Sequence, residues 1–201
     1  MKEERTGKVS TAARDGVAKV APLVGMTAAT GLAAGNLAAS APEAALSAWL
    51  RPGLGMAALD TGLINRYSTV LCNGVYTYYK DYHPKCTRHG HSGNIDVVTA
   101  IKWSCNIFFY DVGRRLTSDV YDAYAYKLGL GQRTGVEVSE ALGRLTTKND
   151  SNYTESLDVQ AAIGQGNTAV TPIQLATYAA TLANRGTRYR THFVKAILDS
   201  N

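Results

Sequence analysis

Beyond about residue 50 the apolar and polar positions sort into segments of two periods. "AALDTGL" (57–63) has the spacing of the last turns of a helix, and Gly62 is placed to stop it. Tyr67 to Tyr79, "YSTVLCNGVYTYY", alternates and is rich in β-branched and aromatic residues around Asn73-Gly74, which predicts a short hairpin. "KDYHPKCTRHGHSGN" carries Pro and Gly with no apolar period and predicts a loop. Asn94 or Asp96 can cap a helix through Val97, Val98, Ala100 and Ile101. A second helix follows with Ile107, Phe108, Val112 and Leu116 on one side, and "VYDAYAYKLGLGQRTG" continues helical to Gly129 or Gly131.

Residues 143–157 are polar and predict a loop. Thr171, Pro172 and Gln174 then form a capping-box start with proline at the first helical position, and Asn184 to Gly186 closes that helix. In Gly164-Gln165-Gly166, the missing Cβ atoms let backbone approach another group closely. At the end, Phe193, Lys195 and Ile197 alternate with Val194, Ala196 and Leu198 as in a strand.

Composition divides the chain. Residues 1–50 hold fourteen Ala and no aromatic residue before Trp49, whereas Tyr67 to Tyr126 holds nine of the twelve tyrosines. This places a boundary near residue 50, with residues 1–46 an Ala-rich segment of unknown origin and residues 47–201 a domain or part of one. "VAPLVGMTAATGLAAGNLAASA" imitates a secretory leader, but Gly, Thr and Asn run through it and acids sit among the bases ahead of it. No stretch reaches the roughly 18 consecutive apolar residues of a membrane span. The charge of +5 is scattered, and its densest group, Arg185, Arg188, Arg190 and Lys195, accompanies no nucleic-acid motif. Nucleic acid is therefore excluded as a partner, and the group is read as a solvated face.

Two clusters carry candidate chemistry. Ser104, Cys105 and Asn106 interrupt the apolar runs of "AIKWSCNIFFYDVGRRL" (100–116), where a buried helix would carry Leu or Ala. Cys72, Cys86, His89 and His91 fall within twenty residues, and thiolate with imidazole favours zinc. Their spacing fits no standard finger, so a Cys72–Cys86 disulfide worth about 3 kcal/mol, or unpaired thiols beside surface histidines, stand as alternatives.

"AIKWSCNIFFYDVGRRL", "LGLGQRTGVEV" and "AAIGQGNTAVTPIQLATYAATLANRGTRYR" occur in the order and at about the spacing seen in penicillin-binding protein transpeptidase domains. From about residue 47 onward the chain resembles the elongation-type, monofunctional class B members of Gram-positive bacteria. The resemblance implies an α+β, β-lactamase/transpeptidase-like fold, here incomplete, with most of the helical subdomain and few strands. It implies a serine D,D-transpeptidase that cross-links peptidoglycan stem peptides by acyl transfer and is acylated by β-lactams, with no catalytic cofactor. Ser104 would relay protons and Asn106 would hold the substrate's peptide amide, jobs that suit groups able both to donate and to accept. Gln165 would join Asn106 in substrate binding. Some elongation-type members have zinc near this loop; by that likeness Cys72, Cys86 and His91 are candidate ligands, with His89 the alternative. The implied location is the extracytoplasmic face of the cell membrane, with divisome or elongasome membrane proteins as partners and the anchor outside this chain.

The chain also departs from the family. It has no S-x-x-K, the nucleophile and lysine one turn apart on a helical face. Aligned without gaps, the family's "GSTFKP" falls on Ser47-Ala48-Trp49-Leu50-Arg51-Pro52, so the nucleophile position is Ala48 and the lysine position Arg51. Alanine is not acylated, and an arginine with a pKa above about 12 is no general base. Ser47 is one residue, about 100°, out of phase. Arg133-Thr134-Gly135 imitates the family's K-[ST]-G but lies inside another block, and the true position falls beyond Asn201. The expectation is a domain that does not itself acylate. A non-catalytic peptidoglycan- or partner-binding module, or a β-lactamase or β-lactam sensor of the same fold, are the alternatives.

Overall fold

The computed structural model describes residues 43–86 and 90–194, with side chains from Leu50 onward. It is an α+β arrangement of five helices and one two-stranded sheet among the described residues. Helix α1 spans Glu43–Asp60, strands β1 and β2 span Thr69–Cys72 and Gly93–Asp96, and helices α2 and α3 span Val97–Trp103 and Asn106–Lys127. Helices α4 and α5 span Glu155–Ala161 and Pro172–Ala183. The expected helix ending near Gly62 is α1, which stops at Asp60 with Gly62 at φ +72°. It begins at Glu43, so the compositional boundary at 46/47 falls inside it.

Helix α1 points one stripe, Leu50, Leu54, Ala57 and Ala58, into the core, where none is more than 1% exposed. Pro52 lies within the helix and removes one i→i−4 hydrogen bond. The next N–H, that of Gly53, donates to Tyr178 Oη at 2.9 Å, which ties α1 to α5. A Cβ on Gly53 would sit 2.7 Å from that oxygen, so glycine permits the contact.

The predicted hairpin is corrected by the structure. The partner of β1 is β2, antiparallel, with Thr69 opposite Asp96 and Cys72 opposite Gly93. The Asn73-Gly74 turn does form, with Asn73 Oδ1 accepting from Val75 N at 3.3 Å and Gly74 at φ +91°. Beyond it, Val75 makes only a bridge to Lys85. The tyrosines pack instead as a cluster, Tyr76 against Tyr78, Tyr79 and Tyr110 at centroid distances of 5.7–6.3 Å. Ring packing has overridden the strand propensity of this segment. Gly93 and Asn94, expected in a loop, belong to β2.

Asp96, rather than Asn94, caps α2, its Oδ1 accepting from Thr99 N at 2.8 Å. Such a cap contributes about 1 kcal/mol. Helix α3 buries Ile107, Phe108, Phe109, Val112 and Leu116 and kinks at Thr117 (φ 66°, ψ 157°). It ends at Lys127, just before Gly129, as expected. It crosses α4 at Gly113, where an added Cβ would lie 2.2 Å from Ala162 Cβ. Helix α5 has the expected capping box of Thr171 with Gln174 and ends at Ala183, with Asn184 as its cap. The strand expected over 193–198 lies largely outside the described residues, and Phe193 and Val194 are in none.

Candidate functional site

Ser104 and Asn106 stand where α2 hands over to α3. Ser104 is the C-cap of α2 in the left-handed region (φ 56°, ψ 46°), and its N–H returns to the carbonyls of Ala100 and Ile101. A non-glycine residue held there is strained, as functional positions often are. Cys105 is the N-cap of α3, and Asn106 opens that helix, 6% exposed.

Arg51 reaches both. From the core-facing side of α1, at 5% exposure, its Nη1 donates to Ser104 Oγ and its Nη2 to Asn106 Oδ1 at 2.6 Å. Asn106 Nδ2 in turn donates to the Lys85 carbonyl at 3.1 Å. Buried and charge-assisted, these bonds are stronger than neutral ones. The position aligned with the family's lysine is thus brought onto the Ser104–Asn106 pair. Because a guanidinium keeps its proton, Arg51 donates hydrogen bonds here and accepts none.

Ala48 lies within α1, one turn before Arg51. Gln165 follows α4 in the turn between Gly164 (φ 75°) and Gly166 (φ 72°), half-buried, with its N–H on the Gln160 carbonyl at 2.9 Å. The Arg133-Thr134-Gly135 segment forms no strand. Glu140 accepts from Thr134 N at 2.9 Å, Thr134 Oγ1 at 2.6 Å and Gly135 N at 3.0 Å, fastening it as a loop. Burial opposes ionisation of Glu140, but these bonds outweigh it and hold the carboxyl below its usual range.

The structure brings Cys72, Cys86 and His91 together and adds Cys105, the third cysteine of an odd count that the sequence left open between one disulfide, one metal site and three buried thiols. Their ligating atoms all lie within 4.8 Å of one another. Each arrives on a different piece of backbone. Cys72 ends β1 opposite Gly93, Cys86 is fixed by its N–H to the Gly74 carbonyl at 2.9 Å, and Cys105 by its N–H to the Ala100 carbonyl at 2.9 Å. Cys86 Sγ is 3.5 Å from His91 Nε2. All three cysteines are free thiols, so a Cys72–Cys86 disulfide is not formed. His89 lies outside the described residues. Burial, then the neighbouring Cys72 and Cys86, push the metal-free Cys105 thiol up to about 12. Three thiols and an imidazole are a zinc donor set, and two thiolates on one zinc at about 2.3 Å each are at most about 4.6 Å apart. Around a tetrahedral ion those two thiolates stand about 3.8 Å apart, so a spread of up to 4.8 Å closes onto the metal by a contraction of about 1 Å. The odd cysteine count was the signal that could have found Cys105.

This helix-rich α+β unit, with a Ser-x-Asn junction served by a buried cation, has the architecture of an incomplete transpeptidase-like domain. The penicillin binding protein transpeptidase domain is the family whose sequence pattern matches, over residues 52–201, and the chain belongs to it. Among curated relatives it is 28% identical over 159 residues to the peptidoglycan D,D-transpeptidase MrdA of Acinetobacter baumannii, covering 73% of this chain and 23% of that protein. It is 31% identical over 144 residues to a peptidoglycan D,D-transpeptidase FtsI homolog of Mesostigma viride, covering 70% of this chain and 23% of that protein. Among solved structures it matches Pseudomonas aeruginosa PBP2 in complex with WCK 5153, with a TM-score of 0.69 and 27% identity, over 77% of this chain and 38% of that one. The chain thus spans about a quarter of the length of these curated relatives. Among the described residues no helix is long and apolar enough to cross a membrane.

Proposed function

We propose that residues 47–201 are the peptide-binding half of a peptidoglycan D,D-transpeptidase site that engages stem peptides without being acylated. The observation that carries this reading is the guanidinium of Arg51 bound to both Ser104 and Asn106. An arginine at the lysine position cannot take up the proton that activates a serine, and the aligned nucleophile position is Ala48. What remains is recognition. Asn106 donates to Lys85 and Tyr110 and accepts from Arg51; the second lone pair of its amide oxygen is what a bound peptide N–H would meet. Gln165 supplies a further amide on the Gly164–Gly166 turn.

Isothermal titration with a D-Ala-D-Ala-terminated pentapeptide tests this reading. Reversible binding weakened by Asn106→Ala supports it, and absence of binding opposes it. In the whole protein the site would act at the extracytoplasmic face of the membrane beside elongation or division proteins, as the family resemblance implies.

A second reading rests on a separate observation, the four convergent donors. We propose that Cys72, Cys86, His91 and Cys105 hold a structural zinc. Bound there, the ion would supply no chemistry but would cross-link β1, the Cys86 loop and the α2–α3 junction. Two of those attachments flank the site, since Cys105 separates Ser104 from Asn106 and Lys85, beside Cys86, accepts from Asn106. Metal analysis of the purified chain tests it.

A further inference from the structure

Away from Ser104, a recess of about 260 Å³ lies between the tyrosine loop, the kink of α3 and the start of α4. That is just under the range of about 300–1,000 Å³ typical of drug-sized ligands, which leaves room for a single ring. Tyr78, Tyr79 and Tyr153 give it aromatic walls. Tyr78 is 58% exposed, and its ring stands edge-on to that of Tyr79 at 5.1 Å. The Arg114 guanidinium lies 3.9 Å over Tyr78 and is itself held by Tyr76 Oη at 2.9 Å and Asp111 at 3.1 Å. The platform is therefore ordered before any ligand arrives.

The charges of the lining select the ligand class. Arg114 and Lys148 are already paired, with Asp111 and Asp119, so no cation is left over to favour a phosphate, and Glu155 and Asp158 add carboxylate acceptors. Asp158 is 6% exposed; its Oδ2 accepts from Tyr153 Oη at 2.8 Å, while its buried Oδ1 has no partner. A buried acceptor left unmade is costly, and a hydroxyl donor relieves it. Thr117, also on the lining, is held at φ 66°, ψ 157°, a region nearly reserved for glycine, and such strain collects at ligand sites.

We propose that this recess binds a neutral pyranose ring of a saccharide. The C–H face of a sugar packs on tyrosine rings, and its hydroxyls donate to carboxylates and accept from guanidinium and ammonium groups. The proposal stands on residues separate from Arg51, Ser104 and Asn106, so a failed pentapeptide titration leaves it untouched.

The test is titration of the full chain with the N-acetylglucosamine trimer and, in parallel, the glucose trimer, read by tyrosine fluorescence and ligand-side saturation-transfer NMR. Saturable binding of either trimer is expected, the preferred one showing whether the ring is an amino sugar or a plain hexose. Tyr78→Ala, at an exposed position, should weaken it about tenfold. Glu155→Gln, also exposed, is the second variant should Tyr78→Ala perturb folding by circular dichroism, and it should weaken binding in the same direction. No saturable response to either trimer, a response indifferent to both variants, or saturation by inorganic phosphate alone would overturn the proposal.

Discussion

Arg51 Nη2 lies 2.6 Å from Asn106 Oδ1, although the two residues are 55 positions apart, and the same guanidinium donates to Ser104. The core face of α1 and the α2–α3 junction thus meet in one buried polar contact. An arginine differs from a lysine here in kind, since its planar fork engages two acceptors at once and never surrenders its proton near neutral pH.

Removing that fork should be costly. Arg51→Ala leaves the buried Asn106 carbonyl without its donor, at about 1–3 kcal/mol, and frees the half-buried Ser104 hydroxyl at a smaller cost. The urea midpoint should fall accordingly, and Arg51→Lys should recover part of the loss by restoring one donor. A midpoint unchanged in Arg51→Ala would show that the contact contributes nothing to the fold.

Zinc content gives a second prediction. The purified chain should carry about one zinc per molecule by mass spectrometry of the elements, and a strong chelator should lower its melting temperature. Cys105→Ser and His91→Ala should each release the metal, because a four-coordinate structural site tolerates the loss of no ligand well. A chain that folds metal-free and melts the same with and without chelator would contradict the site.

The crossing of α3 and α4 depends on a single hydrogen atom. Gly113→Ala places a methyl group 2.2 Å from Ala162 Cβ, with the Asp158 carbonyl 3.2 Å away. Neither neighbour is the end of a flexible side chain, so the helices must separate. The expected destabilisation is roughly 1–3 kcal/mol or more, measured by denaturant unfolding. Wild-type stability would mean that the two helices do not pack this closely.

Asp122 should make stability fall with pH across the acidic range. Burial, then the charges of Asp119, Asp158 and Asp150, raise its carboxyl from 3.8 to about 7, and its Oδ1 is buried without a partner. The folded form therefore holds a proton that the unfolded form gives up near pH 4. Its contribution is fully present below that point and is lost as pH rises towards 7. Asp122→Asn should remove this slope and stabilise the chain at neutral pH. A variant less stable than wild type at pH 7, with the slope intact, would refute the assignment.

Local signals in the sequence survived folding, and long-range ones did not. The capping box of Thr171 and Gln174 and the cap at Asp96 were legible because the partners are three residues apart. An ungapped alignment set Arg51 at the lysine position, but its contact with Ser104 and Asn106, 53 and 55 positions along the chain, is seen only in the folded structure. The strand partner of β1 was not legible either, since Asn73-Gly74 signals a turn but the register is set by Gly93–Asp96, beyond an intervening loop. Cys105 was hidden differently. The odd count of three cysteines pointed to it, but its neighbours explained the motif, and convergence with Cys72, Cys86 and His91 is what gives its thiol a task.

The most direct test of the central claim is intact-mass analysis of the purified chain after incubation with a penicillin. With Arg51 fixed on Ser104 and Asn106 and alanine at the aligned nucleophile position, the account predicts an unchanged mass. A stoichiometric covalent adduct, mapped by peptide digestion to Ser47 or Ser104, would contradict it and show that a working nucleophile remains.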